Sequence, residues 1–195
     1  ADAAEWERVS PAYTDTIGDT AFRNQISFQS EYRYQNSSGR NDLDTAKVTQ
    51  DSEFLYFHIT TVNEIVAEDD EAWMNLYLDI DNDSSTGWEG FDLILNRSRD
   101  GTSVSVEKFV DNSWNFETVG SAEYLLGTNS LTIKVAKDVI RKAAPEADFK
   151  LFAYKWADAS VSDGDVMRFM DLGDTAPNDR FKFLYTTEKL PEAKT

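Results

Sequence analysis

Short segments in which apolar and polar residues alternate, separated by polar turns, recur along this chain of 195 residues. In residues 73–80 every second side chain, from Met74 to Ile80, is apolar, which is the period-2 pattern of a strand with one buried face. Similar segments are rich in β-branched and aromatic residues, which favour strands. The predicted strands cover residues 26–34, 46–49, 54–62, 73–80, 91–96, 104–110, 114–119, 131–135, 149–156, 166–170 and 181–185.

This succession of short strands predicts an all-β fold, a jelly-roll-like β-sandwich of two antiparallel sheets. Asp111, Asn112 and Ser113 form a predicted hairpin turn between two of the strands. Residues 137–144 have a helical pattern about two turns long, which Pro145 ends. The expected fold is therefore an all-β sandwich with one short helix.

The length and composition of the chain fit one domain, since an all-β sandwich of this size needs no division. We expect a single module over residues 1–187, followed by a polar tail or linker over residues 188–195. The chain contains no cysteine, so disulfide bonds cannot stabilise it. Residues 1–5 lack the basic and apolar parts of a signal peptide, so we expect a leader to be absent or already removed.

The charge balance argues against several classes of partner. With 36 acidic and 19 basic residues, the net charge is -17, which repels phosphate backbones and anionic membrane surfaces. We therefore expect no nucleic-acid binding. No apolar run approaches the roughly 20 residues that span a bilayer, so we also expect no membrane insertion.

Crowded carboxylates follow the 73–80 segment. If the predicted strand 91–96 faces the same core, its side chains alternate so that Asp92 lies on the opposite face, beside Asp79 and Asp81. Ca²⁺ takes six to eight oxygen ligands and would relieve the repulsion between them. A helix-flanked calcium loop is excluded, because Ser84 and Gly90 occupy the positions of its required glycine and glutamate. The candidate calcium ligands are Asp79, Asp81, Asp83 and Asp92. The alternative is that they are solvated turn residues.

A second acidic pair, Asp15 and Asp19, flanks Gly18 and could supply calcium ligands from another loop. Its spacing is also common in ordinary turns that aspartate side chains stabilise. Asp171 and Asp174 beside Gly173 are a weaker candidate of the same kind.

Five strings of residues lie in order along nearly the whole chain: residues 15–20 (DTIGDT) with Arg23, residues 38–43 (SGRNDL) with Lys47 and Val48, residues 73–97 (WMNLYLDIDNDSSTGWEGFDLILNR), residues 155–158 (KWAD) and residues 173–181 (GDTAPNDRF). Together they resemble the family 9-type carbohydrate-binding modules and the wider group of calcium-containing, DOMON-like sugar-binding sandwiches. The resemblance implies a β-sandwich with a structural calcium and a sugar site bounded by tryptophans. It also implies a bacterial extracellular, cell-surface or periplasmic module, linked in cis to other domains of a polysaccharide-processing protein.

Tryptophan rings can pack on the apolar face of a pyranose, while neighbouring polar groups bind its hydroxyls. The candidate platform residues are Trp88, Trp73, Trp156 and Trp114. Each could instead pack in the core. Arg40 and Asn41, in a predicted loop, are candidate hydrogen-bond donors to sugar, whereas Trp6 is expected to anchor a terminal strand.

The sequence predicts a non-catalytic carbohydrate-binding module and leaves three alternatives open. A purely structural or adhesion domain would pack on a neighbouring domain. A glycoside-active enzyme would need paired carboxylates, for which Glu89 and Asp92 are available. Haem binding, as in relatives of the same sandwich group, would need an axial pair such as His58 with Met74, Met167 or Met170.

Overall fold

The computed structural model describes residues 3–28 and 32–188, which form an all-β sandwich with a few short helices. The helices are α1 (Ala3–Glu7), α2 (Lys137–Ile140) and α3 (Arg168–Asp171). The strands are β1 (Tyr13–Thr14), β2 (Arg23–Ile26), β3 (Arg33–Asn36), β4 (Leu43–Gln50), β5 (Phe54–Thr61), β6 (Asn75–Asp79), β7 (Leu93–Asp100), β8 (Ser103–Val110), β9 (Asn115–Leu126), β10 (Ser130–Ala136), β11 (Leu151–Asp158), β12 (Asp174–Ala176) and β13 (Phe183–Thr186).

Eleven of the described strands form one continuous antiparallel sheet, and β2 and β3 form a separate hairpin. The order in the large sheet is β1, β4, β5, β10, β9, β8, β7, β6, β11 and β12, and β13 pairs with the same edge of β11 as β12 does. The predicted antiparallel β-sandwich is confirmed, with one large sheet and one small sheet. Strand β9 joins the two layers, because its first part pairs with β8 and its last residues pair with β10.

The large sheet folds over on itself. A β-bulge at Val119 shifts the register between β8 and β9, and bulges bend the strands that carry them. Phe57 of β5 consequently packs on Phe152 and Tyr154 of β11, with ring centroids 6.0 and 5.8 Å apart, although these strands are not neighbours in the sheet. The inward side chains of both layers form the main hydrophobic core.

A second hydrophobic cluster covers the outer face of β6, β7 and β8. It contains Tyr77, Trp88, Phe91, Ile94, Phe109, Ala157, Val161 and Phe169, with Trp114, Phe116 and Val166 packed against it. All five residues of β6 are therefore buried, and the prediction that this strand is half-buried is wrong. Phe91 was expected to face the main core but belongs to this second cluster.

The predicted turn at Asp111 and Asn112 is confirmed. Both residues have a positive φ, as the tight turn between β8 and β9 requires. Other local predictions are wrong. The predicted strand 166–170 overlaps helix α3, and the predicted strand 26–34 touches only the ends of β2 and β3.

The described chain contains three short helices, whereas the sequence predicted only one. Their shortness explains the difference. Helix α2 ends at Ile140 and continues only as turns, rather than reaching residue 144. Helices α1 and α3, of five and four residues, are too short to show a helical period. No helix in the described residues is long and apolar enough to cross a membrane. The predicted tail lies outside the described residues, apart from Glu188.

Candidate functional site

The turn between β6 and β7 brings together three of its four predicted calcium ligands. Antiparallel pairing of Leu78 with Leu93 places Asp79 beside Asp92, and oxygens of Asp79, Asp81 and Asp92 lie within 4.8 Å of one another. Asp83 is outside this group and exposed. Its Oδ1 accepts hydrogen bonds from the backbone N–H and the hydroxyl of Ser85, 2.9 and 2.6 Å away, so it stabilises the turn.

The first acidic cluster (Asp79, Asp81 and Asp92) is partly neutralised by Lys182. The Lys182 Nζ donates to Asp79 Oδ2 over 2.8 Å, while Asp79 Oδ1 is buried and has no hydrogen-bond partner in the described part of the chain. Burial raises the pKa of Asp79, and it raises the pKa of Asp92 to about 6, with a further contribution from the charge of Asp81. One ammonium group therefore faces three carboxylates.

A second acidic cluster joins distant parts of the chain. Asp15 and Asp19 lie in the loop after β1, Asp174 begins β12, and oxygens of all three lie within 4.8 Å of one another. The Asp15 N–H donates to the carbonyl of Asp44 over 2.7 Å, and the N–H of Gly18 donates to the carboxylate of Asp42 over 3.0 Å. The loop is thus fixed to the β4 end of the sheet.

Within the described chain, the second acidic cluster (Asp15, Asp19 and Asp174) has no ion-pair partner, although the charge of Lys155 acts against the rise in the pKa of Asp15. Among the described residues, no lysine or arginine forms an ion pair with any of the three. Asp15 Oδ2 and Asp19 Oδ1 are buried and lack a hydrogen-bond partner in the same described part of the chain. Burial, with mutual repulsion, raises the pKa of Asp15 to about 7 and that of Asp174 to about 8.

The buried Lys155 does not fill this role. Its ammonium group donates to the backbone carbonyls of Pro177 and Phe181, and burial lowers its pKa to about 7. Asp174 is held in place by its own contacts, since its carboxylate accepts the N–H groups of Leu43 and Thr175 over 2.6 and 2.7 Å. The remaining oxygens of the cluster suit a hard divalent cation such as Ca²⁺, which carboxylates, carbonyls and water coordinate.

Sequence reasoning named the three aspartates of this second cluster in two separate groups and did not predict that they meet. Asp15 and Asp19 were candidates from their spacing around Gly18, but their pairing with Asp174 depends on long-range contacts between β4 and the β12 edge. The hydrogen bond from Leu43 to Asp174 is such a contact. No local pattern in the sequence indicates it.

Three of the predicted sugar-platform tryptophans have no open ring face. Trp73, Trp88 and Trp156 expose only 2%, 5% and 0% of their surface, so the expectation that they form a platform in this conformation is wrong. Trp73 and Trp156 lie in the main core, where the Trp73 Nε1–H donates to the Val66 carbonyl over 2.9 Å. Trp88 belongs to the second hydrophobic cluster, and Trp114 packs edge-on against it with ring centroids 4.5 Å apart.

Arg40 and Asn41 hold a buried carboxylate. The Arg40 Nε and the Asn41 Nδ2 each donate to Asp158 Oδ2 over 3.0 Å, and Arg40 also pairs with Asp70. The Asn41 Oδ1 accepts the N–H of Val66 over 2.7 Å. These bonds occupy the groups that were expected to bind sugar, so both residues stabilise the fold here.

Two of the open clefts are candidate ligand sites. The larger, of about 610 Å³, lies on the outer face of β4, β5 and β10 beneath Trp6. The smaller, of about 370 Å³, lies between Phe91 and Phe181. Sequence analysis predicted neither cleft. Trp6 was expected to anchor a strand, but it lies on α1 and stacks on His58 with ring centroids 4.5 Å apart.

One of the candidate haem-ligand pairs is separated in the fold. His58 lies on the outer face of β5, whereas Met74 is buried in the main core, so these two cannot ligate one haem iron. Glu89 is exposed at the surface of the turn. No family model and no curated protein matches the chain.

Proposed function

We propose that this protein is a non-catalytic carbohydrate-binding module whose β-sandwich is held in shape by bound Ca²⁺. The second acidic cluster carries the proposal: three converging carboxylates form no ion pair with a lysine or arginine among the described residues, and two of their buried oxygens lack a hydrogen-bond partner there. The resemblance of five strings of the sequence to calcium-containing sugar-binding sandwiches supports it. The same resemblance favours a secreted bacterial protein in which this module is attached to polysaccharide-processing domains.

The role of the ion in this proposal is structural. Ca²⁺ held by Asp15, Asp19 and Asp174 would tie the loop after β1 to β12, on the opposite edge of the large sheet. A surface that is already rigid loses less conformational entropy when sugar binds, so modest stacking and hydrogen bonding give useful affinity. The ion would therefore raise both stability and sugar affinity.

The proposal is tested by a glycan array and by thermal unfolding, each with the protein dialysed free of metal and then supplied with Ca²⁺ or Mg²⁺. We expect Ca²⁺ to raise the melting temperature by several degrees, because a ligand at 100 times its Kd adds about 2.7 kcal/mol to the free energy of unfolding. We also expect Ca²⁺ to strengthen binding to at least one glycan. Unchanged melting and no glycan bound under either condition would contradict the proposal.

A structural or adhesion domain is the second candidate function. The β2–β3 hairpin and its flanks expose large apolar side chains: Phe22, Ile26 and Phe28 are 76%, 68% and 98% exposed. Exposed apolar patches mark surfaces that pack on other proteins. A Phe22→Ser/Phe28→Ser variant that bound glycans like the parent, but no longer bound the neighbouring domains of its protein, would separate this role from sugar binding.

A further inference from the structure

The larger cleft lies on the outer face of β4, β5 and β10. In the described chain, the centre of this face is not covered by other elements. The outer face of β6, β7 and β8 is covered by the second hydrophobic cluster. The outer face of β4, β5 and β10 is covered only at one end, where α1 lies across it and Lys47 Nζ donates to the Trp6 carbonyl over 2.7 Å. The cleft runs from Trp6 to the turn between β9 and β10.

Strand register sets the chemistry of the cleft floor. Lys47 and Thr132 both pair with His58, and Leu125 pairs with Thr132, so these four side chains form one row across the sheet. Thr60 and Ser130 pair in the adjacent row. Every second residue of these strands points to the main core, which leaves hydroxyl, imidazole and ammonium groups on the outer face.

Several of these groups have free hydrogen-bonding capacity. In the described part of the chain, the hydroxyls of Thr45 and Ser130 and the Nε2 of His58 have no hydrogen-bond partner, while His58 Nδ1 bonds the Thr132 hydroxyl over 2.8 Å. A hydroxyl both donates and accepts. Burial lowers the pKa of His58 to about 4, so at neutral pH its ring is uncharged and also offers both a donor and an acceptor.

The walls of the cleft add apolar surface and little net charge. The side chain of Leu125, 58% exposed, lies on the floor, whereas the indole of Trp6 is only 4% exposed, because it stacks on His58, and closes one end of the cleft. Lys47 and Glu7 are its charged lining residues and are opposite in sign. A volume of about 610 Å³ suits a ligand of several rings. An apolar floor residue beside paired hydroxyl groups matches the C–H faces and hydroxyls of a sugar chain.

We propose that this cleft is the sugar site of the module, and that it binds a neutral oligosaccharide lying across β4, β5 and β10. Hydroxyls of the sugar bond Thr45, Ser130 and His58, and an apolar face of the sugar packs against Leu125. The inference rests on the proposed function, because it names the place and the ligand class of the same binding activity. Anionic glycans are disfavoured by the net charge of -17.

Proton NMR can test this site directly, because His58 is the only histidine of the chain and its ring signals need no assignment by mutagenesis. Calcium-loaded protein is titrated with cellohexaose, xylohexaose, mannohexaose and laminarihexaose, and with trigalacturonate as the anionic comparison. We expect at least one neutral hexaose to shift the His58 ring signals in a saturable way and trigalacturonate to leave them in place. Calorimetry under the same conditions measures the affinity.

Matched variants locate the contacts. Thr45→Val with Ser130→Ala removes two hydroxyls that have no bond within the described chain, so folding should be preserved and affinity should fall about tenfold. Thr118→Val removes an exposed hydroxyl of β9 outside the cleft and should change nothing. Phe181→Ala alters the smaller cleft and should also leave the affinity unchanged.

The outcomes separate the two proposals. A hexaose that binds by calorimetry without moving the His58 signals, and with equal affinity for the Thr45→Val/Ser130→Ala variant, would overturn the cleft as the site while the proposed function stood. A loss of affinity in Phe181→Ala alone would move the site to the smaller cleft. If no neutral glycan binds, the proposed function itself is wrong and the cleft proposal falls with it.

Discussion

At the scale of single residues, a neighbouring lysine or arginine determines whether an acidic cluster is neutralised by the protein itself. Asp79 has Lys182 within hydrogen-bond distance, so the first acidic cluster is partly balanced by the protein itself. Asp15 has no such partner among the described residues, although burial raises its pKa to about 7. The sequence shows both sets of aspartates equally well. It cannot show which cluster a lysine reaches, because Lys182 and Asp79 lie far apart in the chain.

Replacing Asp15 by Asn tests the metal role of the second acidic cluster. Asn keeps the size and one oxygen but removes a charged ligand, so we expect calcium affinity to fall about tenfold or more, which is about 1.4 kcal/mol. Without metal, the variant should be as stable as the parent or more stable, since one repulsive charge is gone. Calorimetric calcium titration and urea unfolding measure the two quantities.

The matched control for Asp15→Asn is Asp83→Asn, which alters an exposed aspartate outside both acidic clusters. Its calcium affinity should equal that of the parent. Equal affinities for Asp15→Asn and Asp83→Asn would show that Asp15 is not a ligand.

At the scale of elements, periodicity predicts which residues share a face but not what covers that face. Tyr77 was correctly placed on one side of a strand, and Leu76 and Leu78 on the other. Trp73 was expected beside Tyr77 but lies in the main core, because it precedes β6 and the positive φ of Met74 breaks the alternation. The turn that carries Trp88 then folds over the Tyr77 side and buries it. This layer is assembled from the turn, from β8 and from α3, so no single stretch of sequence reveals it.

Gly87 gives this layer its tight turn, since its φ is +58° and an added Cβ would overlap the carbonyl oxygen of Phe91. That oxygen accepts the N–H of Trp88 over 2.9 Å. Gly87→Ala should therefore destabilise the protein by more than about 3 kcal/mol, measured by urea unfolding.

Gly101→Ala is the control, because its φ of +60° is similar and an added Cβ would meet nothing within 4 Å. Its expected cost is about 1 kcal/mol, the penalty of the left-handed conformation alone. If both variants lost the same stability, the close approach at Phe91 would not matter.

At the scale of the whole molecule, the fold class was predictable because alternating apolar residues recur in short segments with polar turns between them. The strand order was not, since pairs such as β5 with β10 and β6 with β11 join segments distant in sequence. Helices α1 and α3 were also not predictable from the sequence. Part of the predicted strand 166–170 instead forms the single turn of helix α3 beside the second hydrophobic cluster.

The raised pKa values predict how stability depends on pH. Asp15 and Asp174 titrate at about 7 and about 8 in the folded, metal-free protein, against 3.8 ordinarily. These two groups make the folded state bind more protons than the unfolded state between about pH 4 and 8, whereas the lowered pKa values of His58 and Lys155 act in the opposite direction. Because Lys155 offsets Asp174 above about pH 7, the unfolding free energy should fall as the pH rises from about 4 to 7. Saturating Ca²⁺ should flatten the dependence, because the bound carboxylates stay ionised.

Urea unfolding of metal-free protein at pH 5, 6 and 7 measures this slope. The net charge also disfavours the compact state as the pH rises, so the control is an Asp15→Asn/Asp174→Asn variant of the same fold. Its slope should be smaller than that of the parent. Identical slopes for the two proteins would assign the effect to general repulsion.

The second acidic cluster has a consequence for biosynthesis, because Asp15 is made early and Asp174 late. A nascent chain still on the ribosome without β12 carries only part of the ligand set, so a cation can be captured only after almost the entire sheet has been synthesised. Once captured, it closes a loop that includes most of the sequence, and long loops restrict an unfolded chain most when they are closed. If the proposed Ca²⁺ binds, it would then distinguish chains that include β12 from chains truncated before it.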